Sequence, residues 1–135
     1  MLRRLVTIVA FLLVNGRTVM AGARSAVQRD VEGYAVATCL ASQKQPYLKD
    51  QGDGWASAIV QRSHGKVSEL NDVAAAVKAE MAGGHVGVIH VDGDPPHDEE
   101  APVLYCAEIV DAPRVATAID KAIKKLAPAY RQPKK

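Results

Sequence analysis

The chain has few aromatic rings: one Trp, one Phe and four Tyr, 4% of its residues. A core of stacked rings is therefore excluded, and Trp55 is the one large ring expected among Ala, Val, Ile and Leu. Cysteine is as sparse, with Cys39 and Cys106 alone and no Cys-x-x-Cys, which argues against a thioredoxin-like redox centre. The sequence has no Gly-x-Ser-x-Gly elbow, no phosphate-cradling glycine loop and no His-Glu-x-x-His helix. Nothing in it asks for an enzyme, and no cofactor is expected. No apolar run reaches the roughly 20 residues that a membrane-spanning helix needs. There is no internal repeat.

What is present begins with a leader. Arg3-Arg4 is followed by the apolar run Leu5 to Val14, then by Asn15-Gly16, then by the small residues Ala21-Gly22-Ala23. That order is the layout of a secretory signal peptide, and residues 1–23 are expected to be removed on export. Removal takes away Arg3, Arg4 and Arg17, which leaves 14 basic against 15 acidic side chains. The basic balance of the whole chain thus belongs to the leader, and the mature chain gives no global argument for nucleic acid or membrane binding.

Export changes how the cysteines are read. An even number of cysteines in an oxidising compartment points to a disulfide. Two free buried thiols and a bridge between subunits are the alternatives; the expectation is a Cys39–Cys106 bond within one chain.

Hydrophobic spacing predicts an all-α fold: a small bundle of about five helices in one domain, residues 24–128, with a flexible basic tail over 129–135. Val27, Val31, Tyr34, Ala35, Thr38 and Cys39 recur at three- and four-residue steps, a helix over about 26–43. Tyr47 to Gly54 reads as a loop, with Asp53 capping a short helix that carries Trp55, Ala58 and Ile59. Ser68 is placed to cap a helix with Leu70, Val73, Ala74, Val77 and Met81 on one face. A fourth helix over Pro102–Val110 carries Val103, Cys106, Ala107 and Val110. In the last, Asp111 caps, Pro113 opens the first turn, and Val115, Ala118, Ile119, Ala122, Ile123 and Leu126 form one stripe. Lys121, Lys124 and Lys125 suit the negative end of its dipole, and Pro128 is expected to end it.

Residues 83–101 differ in kind. The segment is expected to be one long irregular loop, with Val86, Val88, Ile89 and Val91 favouring an extended arm, a short strand or one arm of a hairpin. Asp92-Gly93 and Asp94-Pro95-Pro96 force a turn and a stiff corner. Five acidic residues, Asp92, Asp94, Asp98, Glu99 and Glu100, lie in this stretch with no Lys or Arg among them. A stiff negative protrusion suits a cleft with a basic or donor-rich rim. The predicted partner-binding residues are Val91, Asp92, Gly93, Asp94, Pro95, Pro96, His97, Asp98, Glu99 and Glu100. His85, His90 and His97 beside these aspartates offer a weaker alternative, an exported metal-binding protein, although their spacing fits no standard site.

Three short motifs carry a family resemblance. Tyr34-Ala35-Val36-Ala37-Thr38-Cys39-Leu40-Ala41 resembles the first-helix signature of the type VI secretion amidase immunity proteins. Ser68-Glu69-Leu70-Asn71-Asp72-Val73 resembles that family's middle helix. Leu104-Tyr105-Cys106-Ala107-Glu108-Ile109 resembles its late cysteine-bearing helix, which is likewise followed by a joint and a final helix, here from Ala112-Pro113-Arg114. The chain departs in having Tyr105 where the family often has a basic residue, and in a longer loop before it. The resemblance implies a periplasmic helical homodimer that protects its own cell by placing a loop in the active-site cleft of a peptidoglycan-cleaving cysteine amidase effector. Carried onto this chain, the plug is the segment Val91 to Glu100.

Overall fold

A computed structural model describes residues 23–132. The expected leader, apart from Ala23, and the last three residues of the basic tail lie outside the described residues. Within them the chain is all-α, with five helices and one two-stranded sheet.

Helix α1 (Ala26–Ala41) is the centre of the bundle. Its first turn is capped by Ser25, whose hydroxyl accepts from the Gln28 N–H at 3.2 Å. The stripe read from the sequence is buried at Val27, Val31, Ala35, Thr38 and Cys39; Asp30 and Ala37 are buried as well. One stripe is not enough because α1 packs against α2 on one side and against α3, α4 and α5 on the others.

Helix α2 (Pro46–Arg62) overturns the loop expected over Tyr47–Gly54. Pro46 opens this helix: its fixed φ and missing N–H suit a first turn. Two glycines inside α2 weaken its helical signal by about 1 kcal/mol each. Gly52 has a packing reason. A Cβ built there would lie 2.6 Å from the Ala37 carbonyl oxygen and 2.8 Å from the Ala41 Cα. Only a hydrogen lets α1 and α2 approach so closely. Trp55 is not a core ring but is 40% exposed, lying over Gly33 of α1; Ile59 is the buried large side chain of this helix, beside buried Gly52, and Ala58 is exposed.

The following helix also starts differently. Val67–Leu70 forms a 3₁₀ turn, and α3 (Asn71–Gly83) begins without a side-chain cap from Ser68. Leu70, Val73 and Val77 are buried as expected. Ala76 joins them, while Ala74 and Met81 are only partly covered.

The short α4 (Pro102–Glu108) runs through a 3₁₀ turn at Ile109–Asp111 into α5 (Pro113–Tyr130). Ala112, with no side-chain bond, takes the cap position expected for Asp111. Val103 and Ala107 face water, and the core takes Cys106 and Ile109 instead. The α5 stripe is buried at Val115, Ala118, Ile119, Ala122 and Leu126, with Ile123 partly covered.

Pro128 does not end α5, which continues to Tyr130 and so takes in the first residues assigned to the tail. The reason is tertiary. The Tyr130 hydroxyl donates to Asp30 Oδ2 at 2.9 Å, and its ring lies 5.0 Å from that of His64. Arg62 donates to Asp30 Oδ1 through Nε at 2.9 Å and Nη2 at 2.7 Å. Asp30, only 4% exposed, thus has both oxygens satisfied by α2 and α5. Burial, then the bond to Asp30 and its charge, push the Tyr130 pKa up to about 12.

Cys39 and Cys106 are bonded within the chain, with an S–S distance of 2.07 Å and Cα atoms 5.4 Å apart. Both are fully buried. The bond joins α1 to α4 across 67 positions, a closure that stabilises the fold by about 4 kcal/mol in the chain-entropy treatment. The Gln43 amide donates to the Cys39 carbonyl at 3.2 Å and lies 3.3 Å from the Cys106 sulfur.

Candidate functional site

The segment expected to be a long loop with one extended arm is a β-hairpin, in which the second arm is a strand as well. Strand β1 (Val88–Val91) pairs antiparallel with β2 (His97–Glu100), with Val88 opposite Glu100, Ile89 opposite Glu99, His90 opposite Asp98, and Val91 opposite His97. The Ala101 N–H extends the ladder by donating to the Gly87 carbonyl at 2.9 Å. The β-branched run Val88-Ile89 was the signal for extended backbone. The acidic run His97–Glu100 has little strand propensity of its own. It becomes a strand because β1 offers it a partner.

The tip is Asp92-Gly93-Asp94-Pro95-Pro96. The Gly93 N–H donates to the Val91 carbonyl at 2.9 Å, the Asp94–Pro95 peptide is cis, and His97 Nδ1 lies 3.3 Å from the Pro95 carbonyl oxygen. Every predicted partner-binding residue from Asp92 to Glu100 is exposed, and Val91 is half-buried. The strands make their extensive contacts with each other rather than with the helices, so the hairpin stands off the bundle. Tyr105 lies against the start of the segment: a Cβ built on Gly84 would lie 3.0 Å from the Tyr105 hydroxyl. Burial, then the nearby Glu80, raise the Tyr105 pKa above the usual phenol value. At the next residue, the Cys106 disulfide fastens α4 to α1.

Pairing sorts the side chains by face. Val88, His90, Asp98 and Glu100 share one face of the hairpin; Ile89, Val91, His97 and Glu99 share the other. On the first face His90 Nδ1 meets Asp98 Oδ1 at 2.9 Å, and its Nε2 lies 3.7 Å from Asp92 Oδ1. This cross-strand contact links the tip to both strands.

The same geometry bears on metal binding. His90 and His97 project from opposite faces, so one ion cannot take both as ligands. Among the described residues, no three His, Cys, Asp or Glu side chains are grouped to hold a metal, and His85, His90 and His97 do not form a ligand set. A register odd in one histidine and even in the other decides this.

Sequence reasoning missed the apolar residues around the hairpin base. Val88 is 61% exposed, with Ile89, Val103 and Leu104 also open to water. They leave apolar surface in water beside a charged protrusion, whereas most large apolar side chains of the bundle are covered. Away from the hairpin, part of the lysine-rich end of α5 is internally satisfied. Lys125 pairs with Glu69 at 2.6 Å, and that bond raises its pKa. No helix among the described residues is long and apolar enough to cross a membrane.

No protein-family model, no curated protein and no solved structure matches the chain.

Proposed function

We propose that the protein is a periplasmic immunity protein that binds and sterically blocks a peptidoglycan-cleaving cysteine amidase, the cognate effector of a type VI secretion system. The observation that carries the reading is the hairpin: five carboxylates and a proline corner held in water, off the body of a disulfide-tied bundle. The first- and fourth-helix motifs that resemble the immunity family support it. So does the disulfide, a bond typical of exported proteins.

The mode of action is exclusion. The hairpin is ordered before binding by its ladder and by the His90–Asp98 contact, so little conformational entropy is lost when it enters a cleft. Asp92, Asp94, Asp98 and Glu99 exchange water for amide and cationic donors on the cleft wall. Exposed Ile89, Val103 and Leu104 lay apolar surface against the mouth of the cleft. This chain makes and breaks no bond. Following the resemblance, two copies act as a homodimer, each presenting one hairpin.

The test is rescue of cells that express the amidase in the periplasm. Exchanging 92–100 for a Gly/Ser linker of equal length abolishes protection and binding on this reading. The helical circular dichroism persists, because none of the buried core residues lies in the hairpin. Unchanged protection after that exchange ends the plug reading.

A further inference from the structure

The two edges of the hairpin are not alike. β1 and β2 are the whole of their sheet, so each strand turns one row of backbone groups away from its partner. The bond from the Ala101 N–H to the Gly87 carbonyl sets the phase of the ladder. Residues 89 and 91 exchange bonds with 99 and 97, while Val88 and His90 direct N–H and C=O outward from β1. Edge strands are ordinarily guarded against further pairing by charge, proline, a bulge or a covering element. The β2 edge is guarded, since Asp98, Glu99 and Glu100 are consecutive carboxylates. The β1 edge is not. Val88-Ile89-His90-Val91 has no acidic, Lys, Arg or Pro residue, its register is continuous, and among the described residues no strand lies beside it.

We propose that the outer edge of β1 docks an extended, cationic segment of the blocked protein as a third strand. The inference rests on the proposed function and says how the hairpin is gripped. Main-chain bonds to Val88 and His90 give affinity with little demand on sequence, and exposed Val88 and Ile89 give apolar contact on either face. Charge selects the occupant. Residues 86–101 hold five carboxylates and no Lys or Arg. A strand with alternate basic residues neutralises them, beginning with Asp92 at the end of β1. A second copy of this chain instead brings a second set of carboxylates into the same small sheet. A four-residue pairing buries far less than the roughly 1,600 Å² of a standard interface. The docked strand therefore adds to insertion of the tip and does not replace it.

The probe is an acetylated hexapeptide of alternating Val and Lys, titrated into the mature chain and followed by amide hydrogen exchange. Exchange at Val88 and His90 is expected to slow by at least about tenfold, with no slowing from a Val/Glu peptide of equal length. Val88→Pro removes an outward N–H that the ladder does not use; Val88→Lys keeps the N–H and adds a guarding charge. Each is expected to weaken the Val/Lys peptide at least about tenfold. Ladder protection at Ile89 and Val91 reports that the hairpin persists, and if Val88→Pro loses it, Val88→Lys decides. Protection elsewhere, or an equal response to the Val/Glu peptide, overturns the proposal. So does slowing at Val88 and His90 that depends on protein concentration without peptide, which makes a second copy the occupant. In the amidase rescue, loss of protection with Val88→Lys supports the edge. Retained protection with Val88→Lys, alongside loss with the 92–100 exchange, removes the docking edge and leaves the plug standing.

Discussion

Two glycines in α2 make opposite predictions from the same substitution. Alanine in place of glycine inside a helix ordinarily stabilises by about 1 kcal/mol, because the freer chain loses more entropy on folding. At Gly54 nothing lies within 4 Å of a new Cβ, so Gly54→Ala is expected to stabilise by that amount. At Gly52 the new methyl would lie 2.6 Å from the Ala37 carbonyl oxygen and 2.8 Å from the Ala41 Cα. Comfortable contacts of this kind are about 3.5–4.0 Å, so the two helices must part by roughly 1 Å. The obstacle is backbone, which no rotamer change can relieve. Overpacking of this sort costs about 1–3 kcal/mol, and backbone against backbone belongs at the upper end. After the helical gain, Gly52→Ala is expected to destabilise by about 2 kcal/mol, so the two variants differ by about 3 kcal/mol. At about 4 °C per kcal/mol for a domain of this size, melting should rise by about 4 °C for Gly54→Ala and fall by about 8 °C for Gly52→Ala. Thermal and urea unfolding followed by circular dichroism measure both. A Gly52→Ala variant as stable as the parent would refute close α1–α2 packing as the reason for this glycine.

Other expectations follow from the sulfur pair and from the buried carboxylate. Converting Cys39 and Cys106 together to alanine should cost about 4 kcal/mol, read as a lower urea midpoint, and thiol titration of the denatured, unreduced parent should find no free thiol. Tyr130→Phe removes the bond that holds the end of α5 to Asp30 and should cost about 1.5–3 kcal/mol, the range for a hydrogen bond to a charged group. The folded-state pKa of Tyr130 is raised, so its contribution is complete below pH 10, the unfolded value, and is lost as the pH climbs towards about 12. Unfolding midpoints measured across that window should fall more steeply for the parent than for Tyr130→Phe; equal slopes contradict the assignment.

Local periodicity sufficed for α1, α3 and α5, because each lays a continuous apolar stripe on the core and needs no distant partner to show it. The same local reading identified 83–101 as the segment to watch, since its prolines and crowded carboxylates are incompatible with a buried helix. It could not see that His97–Glu100 is a strand, because that acidic run has no strand character until Val88–Val91 lies beside it. Nor could it place the histidines, whose separation onto two faces follows from a register that exists only once the strands pair.

Three features belong to the tertiary structure alone. Two glycines and a proline hid the first half of α2 from propensity, yet Gly52 is the residue that lets α2 sit against α1. Pro128 reads as a helix stop, yet the turn beyond it persists because Tyr130 finds a carboxylate 100 positions away in sequence. Trp55 looked like a core ring and lies on the surface, because small side chains and a disulfide already fill the interior. The amino-acid order by itself thus determined the helical class and the site of the acidic protrusion, both of which follow from contacts within one or two turns. Which backbones touch, which charge is buried and which hairpin edge stays open are long-range pairings, and only the folded chain decides those.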